Sequence, residues 1–257
     1  MKPIIFANWK CNPKTLAEAK ALVEAIVAGA GEILNKVEIV ICPPFPYIRD
    51  LVVCEYKIQD TKYKIHVGAQ DCFWEAEGGP FTGTVSPAML KDIGCEYVLL
   101  GHSERKRNFG EDEMLVNRKL KASLEVGLRP VLFFGELEPM PSESGQEEIL
   151  RQLEILLKDI EVNFFDKTIF VYEPAFAIST SGGKKLTPAE LKEKVVFIRN
   201  HFKEKFGKEI KLVFGGSVDK DNINDYLDSG TDGAVPGQAS LKAESFLGII
   251  KACVGKE

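Results

Sequence analysis

Short apolar runs rich in β-branched residues alternate with longer amphipathic stretches from one end of the chain to the other. Eight runs read as strands: 3–7, 37–42, 64–69, 97–101, 129–134, 168–173, 210–215 and 232–235. They are nearly continuous rather than alternating, as in Val98-Leu99-Leu100. That pattern predicts strands covered on both faces, hence a parallel sheet under helices. Between them, Leu16, Ala19, Val23, Ile26 and Val27 form a helical stripe opened by a Thr15-x-x-Glu18 capping box. A second stripe runs through Ile149, Leu150, Leu153, Leu156, Leu157 and Ile160. A third runs through Leu191, Val195, Ile198, Phe202 and Phe206 and starts at Thr187-Pro188-x-Glu190. Gly127 and Gly230 read as helix C-caps. Eight strand–helix units fill the 257 residues, which predicts an α/β fold, a (β/α)8 barrel forming a single domain over residues 1–257. The last strand is the shortest signal, with Pro236 just beyond it, and the helix near 47–54 has the least defined stripe.

Composition is that of an ordinary soluble protein, 45% hydrophobic and 28% charged. The net charge of −5 and the lack of long like-charge runs argue against nucleic-acid binding. An anionic ligand would need local positive charge. Six cysteines stand at 11, 42, 54, 72, 95 and 253, with no C-x-x-C spacing, so they read as structural thiols of a reducing compartment rather than metal ligands. No apolar run approaches the roughly 20 residues of a membrane span, and the short N-terminal run is cut by Lys10. The expected location is the cytoplasm.

Chemistry concentrates where apolar runs end in titratable residues. In a parallel α/β barrel those junctions are the carboxyl ends of strands. His102 follows Gly101 at one end and precedes Ser103-Glu104-Arg105, residues that start a helix. A helix N-terminus disfavours a charged ring, so the imidazole is expected neutral, a donor or proton shuttle. Glu173 stands at the tip of Ile169-Phe170-Val171-Tyr172, where a carboxylate is costly unless it faces a cleft. The other two histidines, His66 and His201, fit packing or surface roles. After Pro174 the segment 175–183 reads as a lid. Phe214-Gly215-Gly216-Ser217, entering a helix at Val218-Asp219, and Val235-Pro236-Gly237-Gln238-Ala239-Ser240 read as anion cradles at helix starts.

Together, Asn8-Trp9-Lys10-x-Asn12, Gly68-Ala69-Gln70, Phe81-Thr82-Gly83-x-Val85-Ser86, Gly101-His102-Ser103-Glu104-Arg105, Gly135-Glu136, Tyr172-Glu173-Pro174, Gly215-Gly216-Ser217-Val218 and Ala239-Ser240-Leu241 resemble the triosephosphate isomerase family over essentially the whole chain. The resemblance implies interconversion of dihydroxyacetone phosphate and D-glyceraldehyde 3-phosphate, in glycolysis and gluconeogenesis, without metal or organic cofactor. It implies that Glu173 moves the carbon-bound proton, His102 serves the carbonyl oxygen, and Lys10 supplies positive charge. Glu104 would orient Lys10, and Asn8 would position substrate. Donors near Ser179, Ser217, Gly237 and Gln238 would hold the phosphate. It further implies a homodimer through loop 70–86, with Thr82 reaching the neighbour's site. Other readings kept in view are an isomerase of another small sugar phosphate and a barrel retained as a binding protein.

The chain departs from the family pattern mainly around the lid. Phe176 and Phe214 stand where the resemblance expects Trp and Tyr, Ser179 and Gln238 where it expects Gly, and Ser181 and Gly182 differ as well. Neither phenylalanine has a polar hydrogen, so two lid-holding hydrogen bonds, each about 0.5–1.5 kcal/mol, are expected to be missing. The backbone N–H of Ser179 and of Gln238 is kept. Asp112, Glu136 and Arg105 are candidates for supporting ion pairs.

Overall fold

The computed structural model describes residues 2–53, 65–178 and 185–255. Eight parallel strands close in chain order into a barrel: β1 Ile4–Asn8, β2 Glu38–Cys42, β3 His66–Ala69, β4 Tyr97–Leu100, β5 Arg129–Phe134, β6 Ile169–Tyr172, β7 Lys211–Gly215 and β8 Gly233–Val235. β8 closes the ring by pairing with both β7 and β1. Closure is tight at Gly233: at φ +156°, a Cβ there would lie 1.8 Å from the Ile4 carbonyl oxygen.

Side chains alternate along each strand and sort the core into two layers. Ile4, Phe6, Val40, Cys42, Leu99, Val131, Phe133, Ile169, Val171, Val213 and Val235 fill the barrel itself. Their neighbours, such as Ile5, Ala7, Val98, Leu100, Phe170 and Tyr172, pack outward against the helices. Both sets are buried, which is why the strands read as continuous apolar runs. Tyr97 joins the inner layer, and its hydroxyl donates to Glu38 and accepts from Arg129.

Nine helices are described: α1 Leu16–Ala30, α2 Phe45–Val53, α3 Pro87–Asp92, α4 Ser103–Phe109, α5 Glu113–Glu125, α6 Ser142–Leu156, α7 Pro188–Phe206, α8 Ile223–Asp228 and α9 Ala243–Val254. The capping boxes at Thr15/Glu18 and Thr187/Glu190 form at the starts of α1 and α7 as their sequences predict. Gly127 and Gly230 follow α5 and α8 in the left-handed region, at φ +73° and +94°. The weak stripe near 47–54 is α2, which starts at Phe45. Among the described residues no helix is long and apolar enough to cross a membrane.

One expectation fails locally. The chain does not enter a helix at Val218-Asp219. The Asp219 carboxylate instead accepts the N–H groups of Asp221 and Asn222 at 3.0 and 3.1 Å, while the Asp219 N–H donates to Asn222 Oδ1 at 2.9 Å. This local capture competes with helix formation and delays α8 to Ile223. After β8 the chain likewise makes a 3-10 turn, Gln238–Leu241, before α9.

Candidate active site

Alternation brings the titratable residues inward at one rim. Val171 points into the barrel and Tyr172 outward, so Glu173 returns to the inside just above the strand end. Its backbone is held by the end of β5 and the loop after it: the Glu173 N–H donates to the Phe134 carbonyl and the Ala175 N–H to the Glu136 carbonyl, both at 2.8 Å. Gly215 of β7 comes close enough that a Cβ there would meet Glu173 Cβ at 3.0 Å. The carboxylate is 5% exposed at residue level. Its Oε2 accepts the Ser103 N–H at 2.9 Å, and its Oε1 lies 3.2 Å from His102 Nε2.

His102 caps α4. Gly101 turns the chain at φ +79°, and a Cβ there would press on Val116 and the Phe133 carbonyl. The His102 Nδ1 accepts the Glu104 N–H at 3.1 Å. A nitrogen that accepts this bond carries no proton, so the neutral ring presents Nε2–H toward Glu173. The ring stands edge-on to Phe133, with centroids 5.2 Å apart.

Lys10 reaches the same rim from β1. Its backbone is left-handed, φ +53°. That turn is pinned from both sides: the Lys10 N–H donates to Asn8 Oδ1 at 3.1 Å, and the Lys10 carbonyl accepts from Gln70 Nε2 at 2.7 Å. Its Nζ pairs with Glu104 Oε1 at 2.6 Å. Asn8, Lys10, His102, Glu104 and Glu173 therefore meet at one rim.

Beside them lies a cleft of about 590 Å³ lined by Ile178, Gly216, Ser217, Gly237, Gln238, Lys185 and Lys242, among others. It adjoins Lys10, because a Cβ on Gly237 would come within 3.2 Å of Lys10 Cε. Ser217, Gly237 and Gln238 thus line one cradle; Ser179, Ser181 and Gly182 lie outside the described residues. The cradle is built from turns rather than directly from α-helix starts, for the reason given for Asp219. At the base of the segment read as a lid, the Ser217 hydroxyl donates to the Ala177 carbonyl at 3.2 Å. The Phe214 ring points outward and packs on Tyr226, with centroids 4.6 Å apart.

The supporting pairs are partly those expected. Arg105 bridges Asp71 at 2.9 Å and Glu111 at 2.7 Å. Glu136 pairs with Lys194 at 3.1 Å and accepts from the Tyr172 hydroxyl at 2.9 Å. Burial, with the Glu136 carboxylate facing it, pushes the Tyr172 phenol well above its usual range, so it stays a donor. Asp112 caps α5 through the Leu115 N–H. His66 pairs with Glu96, and His201 packs edge-on against Phe202 and Phe206, away from the rim. Sequence reading gave no role to the Ser103 N–H, although it is adjacent to His102, or to the Gln70 amide.

The family model described as triosephosphate isomerase matches residues 3–253. A triosephosphate isomerase of Chloroflexus aurantiacus is 41% identical, over 96% of this chain and 98% of that protein. One of Caldanaerobacter subterraneus subsp. tengcongensis is 39% identical, over 97% and 98%. The crystal structure of triosephosphate isomerase from Bartonella henselae aligns with a TM-score of 0.79 at 32% identity, covering 98% of this chain and 99% of that one. Because the match runs from β1 through β8 and takes in every motif-bearing strand end, the chain belongs to the triosephosphate isomerase family and interconverts dihydroxyacetone phosphate and D-glyceraldehyde 3-phosphate.

Proposed function

We propose that Glu173 is the base of this isomerisation, His102 its neutral hydrogen-bond donor, and Lys10 its positive charge. The observation that carries this reading is the buried contact of 3.2 Å between Glu173 Oε1 and His102 Nε2. No substrate fits between atoms so close, so the contact is a resting arrangement. On binding, the carboxylate turns away from the Ser103 N–H to face the substrate carbon beside the carbonyl. It takes that proton; the C–H electron pair becomes the carbon–carbon double bond of an enediolate, and the carbonyl pair moves onto oxygen. His102 Nε2–H and Lys10 Nζ stabilise the oxygen where charge develops. His102 helps move a proton between the two oxygens, and Glu173 returns its proton to the neighbouring carbon. Each transfer has a named side chain, and the sequence invokes no cofactor.

Glu104 holds Lys10 in place, and Asn8 fixes the turn that aims it. The phosphate sits on backbone donors of Ser217, Gly237, Gln238 and Ser179. Excluding water keeps the enediolate from losing phosphate. Coupled assays in both directions, on wild type and Glu173→Asp, test the assignment. Shortening the base by one methylene is expected to lower kcat by about a hundredfold, with near-wild-type turnover overturning it.

The chain is further read as one barrel domain that pairs into a homodimer through loop 70–86. Phe73 packs on Trp74 and Phe81, while Phe81 and Thr82 are exposed at the tip. Beside the loop, a cavity of about 410 Å³ is lined by Phe45, Trp74, Arg105 and Phe109, with Phe45 and Phe109 exposed. Exposed apolar surface of this kind supports association. Sedimentation at twice the chain mass is expected, and a monomer at assay concentration refutes it. The five described free thiols suit the cytoplasm, the location we assign.

A further inference from the structure

The loop behind the base is gripped by a residue no part of the mechanism uses. Beyond Phe134, residues 134–136 continue alongside 173–175, with the Phe134 and Glu136 carbonyls accepting from Glu173 and Ala175. Gly135, between them, turns its N–H and carbonyl to the opposite side. β4 has already ended at Leu100, paired with Leu132, so among the described residues no strand takes them. Gln152 of α6, 1% exposed, does so. Its Oε1 accepts the Gly135 N–H at 3.0 Å, and its Nε2 donates to the Gly135 carbonyl at 3.0 Å. The amide thus does for Gly135 what a neighbouring strand would. Nε2 also donates to Glu148 Oε1 at 2.7 Å, and Arg151 holds that carboxylate with two bonds of 2.7 Å.

Gly135 transmits this grip directly. Its φ is +146°, and a Cβ on it would lie 2.4 Å from the Glu173 carbonyl oxygen. The backbones of Gly135 and Glu173 are therefore in contact, with no side chain to absorb a shift. The same helix closes on the loop again at Gly145, where a Cβ would meet Glu136 Oε1 at 2.7 Å.

We propose that Gln152 is a positioning residue for the catalytic base: through Gly135 it fixes the height and direction from which the Glu173 carboxylate meets the substrate carbon. This rests on the reading of Glu173 as base. Among the described residues the hydrogen bonds of Gln152 run to Gly135 and Glu148 rather than to Lys10 or the phosphate cradle, so its loss acts on turnover rather than on binding.

Two variants test it, with kcat and KM measured in both directions and inorganic phosphate affinity as the binding readout. Gln152→Met keeps the length but leaves both Gly135 groups unpaired. It is expected to lower kcat about tenfold or more, with KM and phosphate Kd within about twofold of wild type. Gln152→Glu can bond both groups when its carboxyl is protonated, but it faces the Gly135 carbonyl and Glu148 as an anion. Its kcat relative to wild type at each pH is therefore expected to approach one at low pH and fall as pH rises. A folded Gln152→Met with wild-type kcat overturns the proposal, as does a loss of phosphate affinity parallel to the loss of kcat. If Gln152→Met does not fold, a pH-independent ratio for Gln152→Glu overturns it. Glu173→Asp, run alongside, separates the two readings: full activity there removes the base, not the grip.

Discussion

Replacing Lys119 by methionine removes a cation from a cluster of charges that lines the cavity beside loop 70–86. Lys119 Nζ lies 2.7 and 2.9 Å from the Asp71 oxygens and 2.5 Å from Glu111 Oε1, and Arg105 touches the same two carboxylates. Lys119, Asp71 and Glu111 are all buried, at 3%, 8% and 6% exposure. With Lys119 intact, two cations face two anions; without it, one carboxylate is uncompensated away from water. Breaking such a pair costs about 3–5 kcal/mol. For a chain of this length that corresponds to a fall in Tm of roughly 6–20 °C. The pH dependence carries the stronger test. Burial raises the Asp71 carboxyl above its usual range, with Glu111 adding to the rise and Lys119 and Arg105 opposing it. A raised acid binds more protons folded than unfolded, so its contribution to stability falls as pH climbs through the raised value. Removing Lys119 raises it further. The deficit of Lys119→Met relative to wild type is therefore largest in neutral and basic solution, and it shrinks as pH falls toward the ordinary carboxylate range. Urea unfolding across that range measures it, and adding Asp71→Asn to the variant should recover stability. A deficit that does not change with pH, or one below about 1 kcal/mol, would refute the reasoning.

Ser217→Ala removes the hydroxyl that holds the Ala177 carbonyl. At about 0.5–1.5 kcal/mol for such a bond, KM is expected to rise roughly two- to tenfold, as read in steady-state kinetics; an unchanged KM counts against a role for that bond. Gly233→Ala places a Cβ 1.8 Å from the Ile4 carbonyl at the seam where the barrel closes. It is expected to abolish soluble folded protein on expression, and a folded variant with wild-type circular dichroism and Tm would contradict the seam geometry.

Strands were legible because both faces of each are buried, so a single apolar run carried the signal. The inward rim residues were legible for a related reason: at Tyr172-Glu173, apolar sequence gives way to charge at the point where burial ends in a cleft. Local chemistry also read through, as in the boxes at Thr15 and Thr187. Pairings across the chain did not. Lys119 looks like any polar position on α5, and its burial as a cation depends on Asp71 arriving from beyond β3 to join the nearby Glu111. Gln152 stands on the buried face of α6 between Ile149 and Leu156, and nothing near it in sequence names Gly135 as its partner. The delayed start of α8 was missed because Asp219 and Asn222 can either cap a helix or replace its first turn.

The left-handed backbone at Lys10 has a consequence of its own. Among the described residues, Lys10 and Asp159 are the non-glycine positions with positive φ, and a lysine has no intrinsic reason to adopt it. Glycine would relax that site and firm up the fold, while deleting the ammonium group the chemistry is read to need. Stability and activity pull in opposite directions on this one residue. A search for hardier versions of this barrel would be drawn toward position 10, and each gain found there would be a loss of catalyst.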